Sequence, residues 1–282
     1  MENIQKAIVT LLHYNTIVRD TLEYTIKKKE YNLDFYKFKK RGLLLEIEQN
    51  TPLKIFLDKA GENGEKLIKR IKELHDSVYG DDSTILRVAP EGLRVDHAQH
   101  LSIFEQVITL HEEIRRITAV HIDFAKKNNQ FDKHLEDLVK ADERFFRGLV
   151  FMTLMNDLEV LYFDYNKARN EAKGQVTPQS NFIQNDIGKV TNLFNFTRQN
   201  AVATDLVFMS LVDQVFSVIE NISGKRDLPE GKSYVDVFKS AKENIAGFVK
   251  ETELKWRDLY NPVIKELMQE SKNTVEKPVA EA

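Results

Sequence analysis

From residue 96 to residue 124 the apolar positions recur in alternating steps of four and three. Asp96, His100, Ile103, Val107, Leu110, Ile114, Ile117, His121 and Phe124 fall on one row. A period of about 3.5 residues marks a helix laid along another helix. Asp96 with Gln99 three residues later fits a capping box, and the pattern carries the helix to about Lys127. Asn128-Asn129-Gln130 is a short polar break, and Asp132 suits the cap of a second long helix over about 133–172. A connection this short implies antiparallel neighbours. The second helix is apolar on nearly all sides from Phe145 to Tyr165, so it is expected to be the central one. Thr153, Asn156, Asp157, Asp164 and Lys167 form its polar stripe, read as a solvated edge.

Weaker patterns flank this pair. Ile4, Ile8, Leu11, Val18 and Leu22 give one face of a first helix over about 2–30. Thr51-Pro52 opens a short helix to Ala60, and Leu67, Ile68, Ile71, Leu74 and Val78 mark another that stops near Gly80. Residues 84–88 and 93–95 flank Ala89-Pro90-Glu91-Gly92, which suits either a β-hairpin or an extended linker. Thr177-Pro178 restarts a helix through Phe194. Another through Leu206, Met209, Phe216 and Ile219 ends at Gly224. Ser233 caps a last long helix carrying Phe238, Ile245, Phe248 and Trp256, which Pro262 is expected to kink or break.

The pattern predicts an all-α chain: an elongated bundle of about six or seven helices on a long antiparallel hairpin. At about 1.5 Å per residue the hairpin helices span roughly 50–60 Å. The expected organisation is an N-terminal helical region over 1–92 with a basic-aromatic segment, a long-helix bundle over 93–271, and a disordered tail over 272–282.

Composition removes several function classes. With no cysteine among 282 residues, disulfides, thiolate chemistry and Cys-ligated zinc are excluded. The net charge of −3 gives no general nucleic-acid coating. No apolar run approaches transmembrane length and the N-terminus lacks a secretory pattern, so a soluble cytoplasmic protein is expected. Eleven glycines leave little room for phosphate-cradling loops, and no Walker loop, Gly-x-Gly-x-x-Gly, His-Glu-x-x-His or Gly-x-Ser-x-Gly appears.

Three places carry candidate chemistry. Five of the seven histidines lie between residues 97 and 134. Di-iron bundles need Glu-x-x-His pairs, yet no histidine here has an acidic residue three positions before it. The remaining arrangement is His97 and His100 on one face, joined by Glu159 from the facing helix, a donor set suited to zinc or iron. His111 sits about 16 Å further along the axis than His100 and does not join them. His121 reads as a hydrogen-bonded core histidine that sets register. The second place, His75-Asp76, lacks the nearby upstream histidine that metal-dependent phosphohydrolysis of this kind needs. The third is Lys27–Arg41, where four aromatics interleave with basic residues. Lys37, Lys39, Lys40 and Arg41 are its candidates for an anionic ligand, nucleic acid or acidic lipid.

Long helices with continuous apolar faces favour a non-enzymatic scaffold or adaptor, with protein partners or a second copy packing on surplus helix surface. The alternatives are a metal-dependent helical enzyme or oxidase at His97, His100 and Glu159, and an anionic-surface binder through residues 27–41.

Overall fold

The computed structural model describes residues 3–27, 66, 69, 70, 73, 86–89, 92–95, 97–199 and 205–275. The protein is all-α, with one small hairpin among the described residues. Helices α1 (Asn3–Lys27), α2 (His97–Lys127), α3 (Lys133–Glu171), α4 (Pro178–Gln199), α5 (Leu206–Ile222) and α6 (Tyr234–Val275) follow in order, with strands β1 (Leu86–Ala89) and β2 (Gly92–Val95) between α1 and α2. The strands pair antiparallel with Leu86 opposite Val95 and Ala89 opposite Gly92, which selects the hairpin over the linker. No helix among the described residues is long and apolar enough to cross a membrane.

Helix ends follow the local chemistry. At the end of α2 the Gln130 N–H donates to the Ala125 carbonyl at 2.8 Å, with Asn129 between them at φ 54°. This is the left-handed C-cap that asparagine tolerates. Asp132 then caps α3, accepting from the Leu135 N–H at 2.8 Å. Thr177 and Ser180 cap α4 reciprocally: the Ser180 N–H donates to Thr177 Oγ1 at 3.1 Å and the Thr177 N–H to Ser180 Oγ at 2.9 Å. Asp205 caps α5. Gly224 ends that helix at φ 67°, with the Lys225 N–H donating to the Glu220 carbonyl. Ser233 and Asp236 form the same reciprocal box at α6. Pro262 does not break α6, which runs through it to Val275.

The chain divides into two compact units, one of residues 1–142 with 255–282 and one of residues 143–254. In the first, α1 packs along α2, and residues 8–13 of α1 are buried on every side. In the second, the described part of α3 is the central element. Phe145, Phe146, Leu149, Val150, Phe151, Leu154, Met155 and Leu158 are all buried. Phe151 meets the edges of Phe194 from α4 and Phe208 from α5, at 5.2 and 4.9 Å between centroids. Gly148 lets α6 approach closely: a Cβ there would meet Phe248 Cδ1 and Val249 Cγ2 at 3.0 Å.

Two expectations fail in instructive ways. The polar stripe of α3 is not one solvated edge. Asp164 and Lys167 are exposed, but Thr153 and Asp157 are buried, and the Thr153 hydroxyl donates to the Leu149 carbonyl of its own helix. In α2, Val107, Leu110 and Ile114 of the expected row are buried, whereas Phe124 is 57% exposed. The row that stays buried is Phe104, His111, Thr118 and Ala125, one residue along and so rotated by about 100°. Two of its members are polar, which hid it from an apolar pattern.

Candidate functional site

The densest polar chemistry among the described residues lies inside the first unit. α1 supplies His13, Asn15 and Arg19 on its buried faces; α2 supplies His111; α3 supplies Asp142; α6 supplies Trp256 and Tyr260. Arg19 is 1% exposed and Asp142 is 3% exposed. Charges so deep persist only when paired and hydrogen-bonded. Arg19 Nη1 donates to Asp142 Oδ1 at 2.8 Å, and Asn15 Nδ2 donates to Asp142 Oδ2 at 2.5 Å. Both oxygens of the carboxylate are thereby engaged.

The hydrogen-bond directions fix the rest of the chain. The Asn15 amide nitrogen points at Asp142, so Asn15 Oδ1 is the acceptor for His111 Nδ1–H, 2.7 Å away. The path runs from His111 through Asn15 to Asp142, with Arg19 closing it from the other side. The second Arg19 nitrogen, Nη2, reaches Thr16 Oγ1 at 3.3 Å. The guanidinium carbon lies 4.0 Å from the centre of the Trp256 ring, a cation–π stack that suits a desolvated arginine. Trp256 stacks in turn on Tyr260, 4.6 Å between centroids.

His13 is two residues from Asn15, on a different side of α1, and contacts Tyr260. Its Nδ1 lies 2.6 Å from the Tyr260 hydroxyl. In the neutral ring with its proton on Nε2, that hydroxyl donates to Nδ1. Burial lowers the His13 pKa from 6.5 to about 4, because desolvation disfavours the imidazolium. At neutral pH the ring is uncharged.

The sequence-predicted sites fare differently. Glu159 accepts from Lys242 of α6 at 2.6 Å, a partner that spacing along two helices did not suggest. His97 and His100 are in the first turn of α2, and their side chains lie outside the described residues. No group of three or more His, Asp or Glu side chains among the described residues is placed to hold a metal. Lys37, Lys39, Lys40 and Arg41, with the rest of the 28–41 stretch, lie outside the described residues, as does His75-Asp76. His121 is half-buried and its Nδ1 lies 2.9 Å from the Ile117 carbonyl of its own helix. His111 and His13 each join the polar network across helices, to Asn15 and to Tyr260.

The second notable surface is the far end of α2. Val120 is 68% exposed and Phe124 57% exposed, with half-buried Ile117 and His121 on the same face. Together they form an apolar strip about two turns long, since residues three and four apart are neighbours on a helix.

No protein-family model, curated protein or solved structure matches the chain.

Proposed function

We propose that this protein is a non-enzymatic helical scaffold of the cytoplasm, and that the C-terminal half of α2 is where a partner helix docks. One observation carries the reading: the apolar row of α2 continues past Ile114 after the core has moved to the neighbouring row. Ile117, Val120, His121 and Phe124 then keep the spacing of a helix-packing face with two large apolar side chains in solvent. Scattered exposed apolar residues need no explanation. Two exposed apolar side chains, Val120 and Phe124, on one helical strip with half-buried Ile117 and His121 match the anchors of a helix laid into or along another. The buried network of the first unit fits the same reading. Its charges are matched by internal partners, as in a core that fixes one arrangement of helices.

The partner is a helix of a second copy or of another protein that presents apolar residues at the same spacing. Sedimentation velocity of the purified full chain, over a range of concentrations and with proteins that co-elute with it from native cells, tests this. Val120→Asp/Phe124→Asp is expected to abolish the complex and leave far-UV circular dichroism and Trp256 emission unchanged. A complex that survives the double substitution refutes the docking strip.

A further inference from the structure

The strip on α2 carries a charge pattern with its own symmetry. Val120 stands at its centre and is 68% exposed. Arg116 lies four residues before it and Asp123 three after; Ile117 lies three before and Phe124 four after; Glu113 and Lys127 lie seven to either side. At about 100° per residue, all six fall within about 60° of Val120 around the helix. Arg116 and Asp123 share one side of it, Ile117 and Phe124 share the other, and Glu113 and Lys127 stay close to its line. Arg116, Asp123, Phe124 and Lys127 are exposed, and Glu113 and Ile117 are half-buried. Glu113 also pairs within the chain with Arg70.

We propose that the occupant of this strip is a second copy of the chain, laid antiparallel, with the two Val120 side chains meeting on a two-fold axis. The pairing rests on the docking role proposed above for the same surface. A two-fold axis perpendicular to two antiparallel helices reverses chain direction and keeps each lateral side together. Arg116 of one copy then meets Asp123 of the other, and the reverse contact follows by symmetry. On the other side, Ile117 of one copy meets Phe124 of the other. Glu113 and Lys127 cross at both ends. Each charge faces its opposite and each apolar side chain faces another, so the patch is complementary to itself, as an isologous interface requires. A parallel pairing swaps the lateral sides. It sets Arg116 against Ile117 and Asp123 against Phe124, which desolvates charge without a counter-ion. From Glu113 to Lys127 the paired stretch is about 21 Å long at about 1.5 Å per residue. An interface of that length is small, so the dimer is reversible.

Sedimentation velocity of the purified full chain, from about 1 to 200 μM, tests the pairing. The expected result is a concentration-dependent monomer–dimer equilibrium. Arg116→Asp or Asp123→Arg, each alone, brings like charges together at both symmetric contacts and should weaken the dimer roughly tenfold or more. An equal mixture of the two variants should restore dimerisation, because the acidic face of one then meets the basic face of the other. The chain contains no cysteine, so single cysteines report the register. Val120→Cys should form a disulfide-linked dimer under mild oxidation, and Lys127→Cys, about 21 Å from its copy along the axis, should not. A chain that stays monomeric over the whole range overturns self-pairing, and leaves the docking strip to be judged on a helix of another protein. A dimer that survives Val120→Asp/Phe124→Asp refutes the strip and the self-pairing together. A dimer lost in that variant but unmoved by either charge reversal, or one that cross-links through Lys127→Cys, overturns the antiparallel arrangement.

Discussion

Replacing Asp142 by asparagine should destabilise the first unit more than any change to a surface charge. The carboxylate is 3% exposed and pairs with an arginine that is 1% exposed. Asp142→Asn keeps the size and removes the charge, which leaves Arg19 buried without its counter-ion. Breaking a buried pair in this way costs about 3–5 kcal/mol. The lost charge-assisted hydrogen bonds, about 1.5–3 kcal/mol each when intact, lie within that figure and do not add to it. A loss this large changes the folded-to-unfolded ratio more than about a hundredfold. Removing both partners has a different outcome. In Arg19→Met/Asp142→Leu neither charge remains to be solvated, so the double variant should be clearly more stable than Asp142→Asn alone. Asn15 loses its acceptor in the double variant, which keeps that variant below the wild-type chain by about 1–3 kcal/mol. Urea unfolding at neutral pH, followed by Trp256 emission, reads the effect where it occurs. A loss under about 1 kcal/mol for Asp142→Asn, or a double variant as unstable as the single one, would refute the claim that this pair is desolvated and mutually dependent.

Stability should also fall with acid. His13 has a folded pKa lowered from 6.5 to about 4, so the unfolded chain binds the extra proton. Its contribution is complete above about pH 6.5 and is lost as pH falls toward 4, about 3 kcal/mol in all; urea unfolding at stepped pH should show that slope, flattened in His13→Asn. Two glycines should respond in opposite directions in thermal unfolding followed by circular dichroism. Gly188→Ala, with nothing within 4 Å of the new methyl, should stabilise by about 0.5–1 kcal/mol. Gly148→Val, pressed on Phe248 and Val249, should destabilise by about 1–3 kcal/mol or more. Elemental analysis of untagged protein should find no stoichiometric zinc or iron. Stoichiometric metal that disappears in His97→Ala/His100→Ala would replace the scaffold reading with an enzymatic one.

Much of the backbone was legible because helix ends are local chemistry. Asp132, Thr177, Ser233 and Gly224 each stand where a side-chain oxygen or a left-handed residue is required, and each does the job its type suggests. The central burial of α3 from Phe145 was legible for a similar reason: apolar residues on all sides have nowhere to go but inward. What the pattern misjudged was the set of core positions filled by polar residues. His111, Thr118, Thr153 and Asp157 are buried, and an apolar pattern has no means of counting them. Thr118 and Thr153 satisfy their hydroxyls on the carbonyl four residues back, which lets a threonine occupy a core position at little cost. His111 instead depends on Asn15, which is 96 residues away in sequence. His13 and Arg19 were passed over as ordinary residues of the first helix, because their partners Tyr260 and Asp142 lie on distant segments. Only a compositional oddity pointed that way: a histidine, an asparagine and an arginine amid the apolar face of α1. Pro262 is expected to kink or break α6 because proline removes one helical donor; it does not break it, since α6 continues through it.

The docking strip on α2 is tested most directly by placing a photoactivatable cross-linking residue at position 120 or 124 of the full chain in native cells. The control position is Lys140, whose side chain is 62% exposed on α3. The expected result is a discrete adduct from 120 and from 124, mapped by mass spectrometry to an apolar helix face of a partner or of a second copy, with none from 140. Equal labelling at all three positions, or no adduct at 120 and 124, would contradict a docking role for this surface.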